Sequence, residues 1–453
     1  MTLQTLPKYE TYKNSSIEWL GKIPSHWTVN RIKADIELLT GYPFNSRKYL
    51  TEGVKLTRGI NVKEGRLDWK DTAYWSEVTS ELKKYVLCDG DILIGMDGSK
   101  VGKNFCQINV DDLPLLLLQR VARLRAKGNL VPRFLFWNIA SVRFLDWVNT
   151  AKTDPMIPHI APSDINGYVV SYPPITEQTA IAHFLNQKTA QIDAAIAIKE
   201  QQIALLKERK QILIQQAVTQ GLDPTVPMKN SGVEWIGEIP AHWECLKLKL
   251  ACKFIYDGTH GSYPRVEEGY RLLSVRNIIN DAFFFREDDS RVSFKHFKEI
   301  SSKFLIQEDD IQLAIVGATL GKVAIIKKIE EEFVTQRSLS TIRVNSRCNN
   351  EFLAYFMRSP AFQAYLWNNA GFSAQPGVYL NTVQNCYMPL PSIDEQKEII
   401  NFIRSSFLKI DDALSLQQQQ IEKLREYKTT LINSAVTGKI RVTSEMVAMA
   451  GSP

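Results

Sequence analysis

Two glycine-lysine segments come nearest to a known chemistry, because glycine lets backbone N–H groups approach phosphate and lysine supplies a cation. "GSKVGKN" begins at Gly98 and "GATLGKV" at Gly317. Both place three residues between the glycines where a phosphate-binding loop needs four, and neither has Ser or Thr after the lysine. They read as tight strand connections whose Lys103 or Lys322 either reaches phosphate or stands as a solvated lysine. The "SYPPI" run at Ser171 marks a helix start. No H-x-E with C-x-x-C, no H-E-x-x-H, no G-x-S-x-G and no G-x-G-x-x-G occurs. Six histidines are dispersed; His26 and His242 recur beside repeated tryptophans and read as packed residues. The six cysteines (Cys88, Cys106, Cys245, Cys252, Cys348, Cys386) form no C-x-x-C pair, which argues against zinc and disulfides and for reduced core residues. No metal or cofactor is expected on this chain.

What must be positioned is therefore a binding surface. The chain has 453 residues, 44% of them hydrophobic, enough for two to four domains with real cores. A formal charge of +6 permits an anionic partner without demanding one. No apolar run is long enough to span a bilayer and the N-terminus lacks a signal-peptide core, so a soluble cytoplasmic protein without a membrane partner is expected.

The chain is written twice. "NSSIEWLGKIPSHWTVNRIK" at 14–33 matches "NSGVEWIGEIPAHWECLKLK" at 230–249 at 10 of 20 positions, an offset of 216. Gly102-Lys103 with Gly321-Lys322, Gln119-Arg120 with Gln336-Arg337, and Glu177-Gln178 with Glu395-Gln396 continue the repeat. A period this long describes two globular modules rather than a solenoid. In each copy short strand-like runs with Gly/Asp turns precede helical stretches, giving an α+β class.

Residues 177–220 and 395–437 contain no proline and no glycine, and each predicts a continuous helix about 40 residues long. Ile192, Ile196, Lys199, Ile203, Leu206, Lys210, Leu213 and Ala217 alternate at spacings of four and three. Ile410, Leu414, Gln417, Ile421, Leu424, Lys428, Leu431 and Ala435 repeat the seam. So narrow a seam suits one partner helix, and an antiparallel pair related by a pseudo-twofold axis is expected. The paired part spans roughly 40 Å at 1.5 Å per residue. The expected boundaries are a first module at 1–176, a central helix at 177–222, a second module at 223–394, a C-terminal helix at 395–440 and a frayed tail at 441–453.

A duplicated module pair on a rigid spacer suits duplex DNA, whose major-groove faces recur about every 34–36 Å. The "IEWLGKIPSHW" and "VEWIGEIPAHW" segments, the "GDIL"/"DDIQ" strands followed by Gly-Lys, the Gln-Arg pairs, the "P-I-x-E-Q" helix starts and the "AVTQG"/"AVTGK" helix ends together resemble the specificity subunit of type I restriction-modification enzymes. The resemblance covers about residues 14–440 in both copies. It implies two target recognition domains, each reading one half of a bipartite, asymmetric DNA site, with the paired helices setting the spacing. It further implies docking of two methyltransferase subunits, which bind S-adenosylmethionine, and of restriction-translocase subunits, which use ATP and Mg. The chain itself would perform no chemistry. The alternative is a coiled-coil scaffold that binds two protein partners without reading DNA.

Duplicated residues should share common tasks and unmatched ones should choose sequence. Arg58 with Arg276, Lys103 with Lys322 and Arg120 with Arg337 are the shared phosphate or groove candidates. Arg47, Lys48, Lys100, His260, Tyr263, Arg265 and Gln375 are the candidate base readers.

Overall fold

The computed structural model describes residues 6–151, 158–372 and 375–450. The chain divides into two compact units, one made of residues 1–199 and 419–453, the other of residues 200–418. The division cuts both long helices, Ile175–Gln220 and Ile393–Val436, so that each unit holds the start of one and the end of the other.

In the first unit a four-stranded antiparallel sheet runs in the order Phe105–Gln107, Ile92–Gly95, Val121–Ala126, Ile36–Thr40, with Leu124 opposite both Ile92 and Leu38. A three-stranded sheet carries Val54–Thr57 in the middle, parallel to Leu115–Leu117. Ile92, Leu93, Ile94 and Leu115 to Leu117 are all buried, which explains why these strands read as continuous apolar runs. Thr28–Arg31 pairs with Val169–Tyr172 and leads into the central long helix.

The second unit repeats this plan. Its larger sheet has six strands, in the order Cys252–Asp257, Leu339–Val344, Ile311–Ala314, Val323–Ile325, Ala282–Phe283, Ile278–Ile279. Tyr270–Leu273 lies parallel to Phe333–Thr335, as its counterpart does in the first unit. The middles differ. A two-turn helix, Phe294–Ser301, capped by the Ser293 side chain, stands where the first unit has the short turn Lys83–Tyr85.

One core unites residues from Tyr9 to Ile192 with Leu431 to Ala450, and another unites Ile214 to Val218 with Ile236 to Ile403. The tail therefore does not fray over its described part. Ser444–Ala450 is helical because Val442 and Ala450 are buried in the first core, and Gln191 donates to the Ala450 carbonyl at 2.9 Å. Residues 451–453 lie outside the described residues.

The expectation of six core cysteines also changes. Cys106, Cys252, Cys348 and Cys386 are buried, Cys245 is half-buried and Cys88 is exposed, because its turn before the Ile92 strand faces outward. Among the described residues no helix is long and apolar enough to cross a membrane, and no group of His, Cys, Asp or Glu is arranged to hold a metal.

Candidate nucleic-acid interface

The duplicated residues build a frame on which the unmatched loops sit. At the start of each long helix a glutamate meets the tryptophan of the opening segment. Trp27 Nε1 donates to Glu177 Oε2 at 2.7 Å, and Trp243 Nε1 to Glu395 Oε1 at 2.8 Å. His26 and His242 share these carboxylates at 3.2 and 3.1 Å. The histidines are not packed inside: their side chains are 47% and 52% exposed, because the tryptophans occupy the core side.

The next residue is a buried glutamine in both copies. Gln178 accepts from Val131 N at 2.9 Å and donates to the Asn129 and Pro173 carbonyls, each at 3.0 Å. Gln396 accepts from Asn349 N at 2.7 Å and donates to the Arg347 and Pro391 carbonyls. An amide with both donor and acceptor satisfied inside a core ties helix start to loop.

A second clamp holds the "GDIL" and "DDIQ" strands. Arg125 makes two bonds of 2.7 Å to buried Asp91, and Arg343 pairs with buried Asp310 at 2.7 and 2.8 Å. The bond to Asp91 raises the Arg125 pKa. Each aspartate also accepts a backbone N–H, from Cys88 or Gln307, at 2.8 Å.

Arg58 and Arg276 occupy matching places, with carboxylates already beside them. Arg58 Nη2 donates to Asp71 Oδ1 at 2.9 Å and to the Asp71 carbonyl, while Arg276 meets Asp288 at 3.1 Å and Asp289 at 3.3 Å. Buried Asn61 and Asn277 complete the two arrangements. The geometry gives both arginines a loop-holding task.

The other shared candidates diverge between copies. Arg120, in a left-handed conformation with φ of 67°, bonds Asp97 at 2.9 Å yet keeps 73% of its side chain exposed. Arg337 is exposed, and Val316 stands where the first copy has Asp97. Lys103 opens onto a cleft of about 590 Å³ shared with Asp193, Arg425 and Lys428. Lys322 Nζ reaches the Ile278 carbonyl at 3.5 Å.

Among the unmatched candidates, Arg47 and Lys48 are exposed on a turn capped by Asn45 Oδ1, and Lys100 is exposed in the Gly98 turn. Gln375 is exposed beside the undescribed residues 373–374. The structure brings His260 and Tyr263 together in one cleft of the second unit, with Arg265 Nη1 donating to the Tyr263 carbonyl at 2.7 Å. Asp257, Glu299, Lys303 and Thr335 line the same cleft and escaped sequence reasoning, since they come from three separate segments.

Along the long helices the seam residues are buried or half-buried. In the first unit Lys428 Nζ donates to Asp193 at 2.7 Å and Lys199 Nζ donates to Gln420. In the second, Lys210 Nζ donates to Asp411 at 2.5 Å and lies 4.4 Å from the Phe407 ring centroid. Within the first unit residue numbers rise on one helix as they fall on the other.

Comparison with known proteins follows this duplication. The family described as type I restriction modification DNA specificity domain matches residues 27–208 and 276–426. The MjaVIII specificity subunit of a type I restriction enzyme from Methanocaldococcus jannaschii is 25% identical, over 93% of this chain and 94% of its own. The EcoBI specificity subunit from Escherichia coli is 23% identical, over 94% and 88%. Among solved structures, a chain from a study of assembly and conformational transition of the type I restriction-modification system has a similar fold. Its TM-score is 0.70 at 13% identity, covering 91% of this chain and 98% of that one. The HsdS subunit from Thermoanaerobacter tengcongensis aligns with a TM-score of 0.53 at 13% identity, over 92% and 98%. With both copies of the repeat matched, this chain belongs to the family of the type I restriction modification DNA specificity domain.

Proposed function

We propose that this chain is the DNA-binding specificity subunit of a type I restriction-modification complex. Each recognition domain reads one half of a bipartite, asymmetric target, and the chain performs no chemistry of its own. The observation that carries this reading is the contrast between frame and middle. The Trp-Glu, Gln and Asp-Arg arrangements recur in both units, whereas the residues between them differ, down to a helix present in one and a short turn in the other. A common frame with divergent loops suits two readers of different half-sites; a scaffold for two identical partners has no use for the divergence.

The long helices pair as an antiparallel coiled coil that sets the separation of the half-sites. Lys428 with Asp193 and Lys210 with Asp411 support this pairing. Outside the seam the central helix leaves Ile198, Leu205 and Ile212 exposed at seven-residue intervals, a stripe suited to protein partners. Those partners are two methyltransferase subunits, which bring S-adenosylmethionine, and restriction-translocase subunits, which bring ATP and Mg.

The test exchanges residues 30–175 for the corresponding part of a relative and maps methylated motifs by sequencing. One half-site should change and the other persist; joint change of both would overturn the modular reading. Affinity of the purified complex for its site should also fall steeply between about 50 and 200 mM salt, as counterion release requires. A flat response would favour the protein-only scaffold.

A further inference from the structure

The second recognition domain contains a cleft of about 390 Å³ whose lining joins acceptors, cations and rings. Asp257 ends the edge strand Cys252–Asp257, and Gly258 turns the chain so closely that a Cβ there would stand 2.3 Å from the Thr335 carbonyl oxygen. The following loop is pre-set by its own bonds. Gly261 N donates to Thr259 Oγ1 at 3.1 Å, and a Cβ at Gly261 would meet the Tyr263 ring at 2.6 Å.

Two carboxylates face this space, each oriented by a neighbour. His260 Nε2 bonds Asp257 Oδ2, and Tyr263 Oη donates to Glu299 Oε1 at 3.2 Å. Phe304 adds an aromatic wall, held against Phe254 and Tyr256 at centroid distances of 5.3 and 5.4 Å. An independent observation points to a ligand. Thr335 lines the cleft and is 2% exposed, yet its hydroxyl has no hydrogen-bond partner among the described residues. A buried hydroxyl without a partner costs stability unless something else satisfies it.

Cations stand at the margin: Lys303 in the lining, Arg265 on the loop, and Arg337, whose amide donates to the Thr259 carbonyl at 3.0 Å. Carboxylate acceptors and a ring inside, with cations outside, match an amino-bearing base carried on a phosphate backbone. A carboxylate accepts from the cytosine N4 amino group, whereas guanine and thymine offer only acceptors to the major groove.

We propose that this cleft reads one cytosine in the half-site of the second recognition domain, Asp257 accepting the N4 hydrogen that base pairing leaves free and Glu299 holding Tyr263 at the cleft wall. The inference rests on the reading of the chain as a DNA-recognition subunit. Asp257→Asn should move preference at that position from cytosine toward adenine, because a carboxamide pairs with adenine N6 and N7. Glu299→Gln, which keeps an acceptor for the Tyr263 hydroxyl, should weaken discrimination at the same position less than Asp257→Asn does, without touching the other half-site.

The experiment measures competition gel shifts of the complete complex, wild-type and variant, against duplexes altered one base pair at a time. Binding needs no turnover, and intact discrimination at the first half-site reports that each variant is folded. Loss of cytosine preference at a single position of the second half-site supports the proposal. Undiminished cytosine preference in the Asp257 variant, or a change confined to a position that is A·T in the wild-type site, overturns it. Uniform binding of all duplexes by the wild-type complex would instead overturn the recognition reading itself.

Discussion

Trp27 and Glu177 are 150 residues apart in sequence and 2.7 Å apart in space, joined by an indole N–H donating to a carboxylate oxygen. The bond fixes the opening segment of the first module to the first turn of the central helix, and Trp243 with Glu395 repeats it in the second. Glu177→Ala should cost about 1–3 kcal/mol, since it leaves a buried indole donor unsatisfied. Glu177→Gln, which keeps an acceptor, should cost less. Denaturant unfolding of the two variants checks the order, and equal losses would count against the bond.

Removing Arg125 strands Asp91, which is 1% exposed, as a buried carboxylate with its cation gone. Arg125→Ala should destabilise the first unit by about 3 kcal/mol, near the low end for broken buried pairs because the arginine is itself partly solvated. Arg343→Ala should do the same to the second unit through Asp310. Hydrogen exchange resolved by peptide would show whether each loss stays in its own unit.

Glu351 gives a pH dependence with a definite sign. Burial pushes its carboxyl up, but Lys327 and Arg404 outweigh that and hold it below the usual glutamate range. A depressed folded pKa contributes stability that is fully present above the unfolded value of about 4.3 and is lost as pH falls through the folded one. The stability gap between wild type and Glu351→Gln should therefore be constant from about pH 7 to 5 and shrink below about pH 4. A gap that widens on acidification would contradict this.

Thiol reactivity should follow burial. Cys88 is exposed, whereas burial pushes the Cys348 thiol up to about 12 and raises Cys106, Cys252 and Cys386 as well. A chromogenic disulfide reagent at neutral pH should titrate one thiol quickly, Cys245 slowly and the remaining four only after denaturation. Cys88→Ser should abolish the fast phase.

If helix length sets the gap between half-sites, four residues inserted near Lys199 to Ile203 should lengthen the helix by about 6 Å, close to two rises of 3.4 Å. The base identities should persist and the unspecified gap widen by one or two base pairs. Four residues turn a helix by about 400°, displacing the seam only about 40°, whereas three displace it further and should disturb assembly more. Methylated motifs sequenced from cells provide the readout. An unchanged gap in an active four-residue variant would remove the helices from that role.

The amino-acid sequence by itself determined the duplication, the two long helices and the frame residues, because each is written in local pattern. A proline-free run with a seam at spacings of four and three specifies a helix and its apolar face. The paired Trp, Glu and Gln positions are visible as repeats at a common offset. Periodicity does not name a partner, however. Only the tertiary structure decided that the end of the C-terminal helix joins the first unit, where a Cβ on Gly438 would stand 2.4 Å from the Pro24 ring and Ser171 Oγ donates to the Val436 carbonyl at 3.2 Å. The side-chain tasks were likewise undecided by sequence. Arg58 looked available for phosphate until Asp71, 13 positions away, was folded against it, and the acceptors at Asp257 and Glu299 became one cleft through contacts between distant segments. Local pattern encodes which face is buried; which charges meet depends on how the chain closes over long separations.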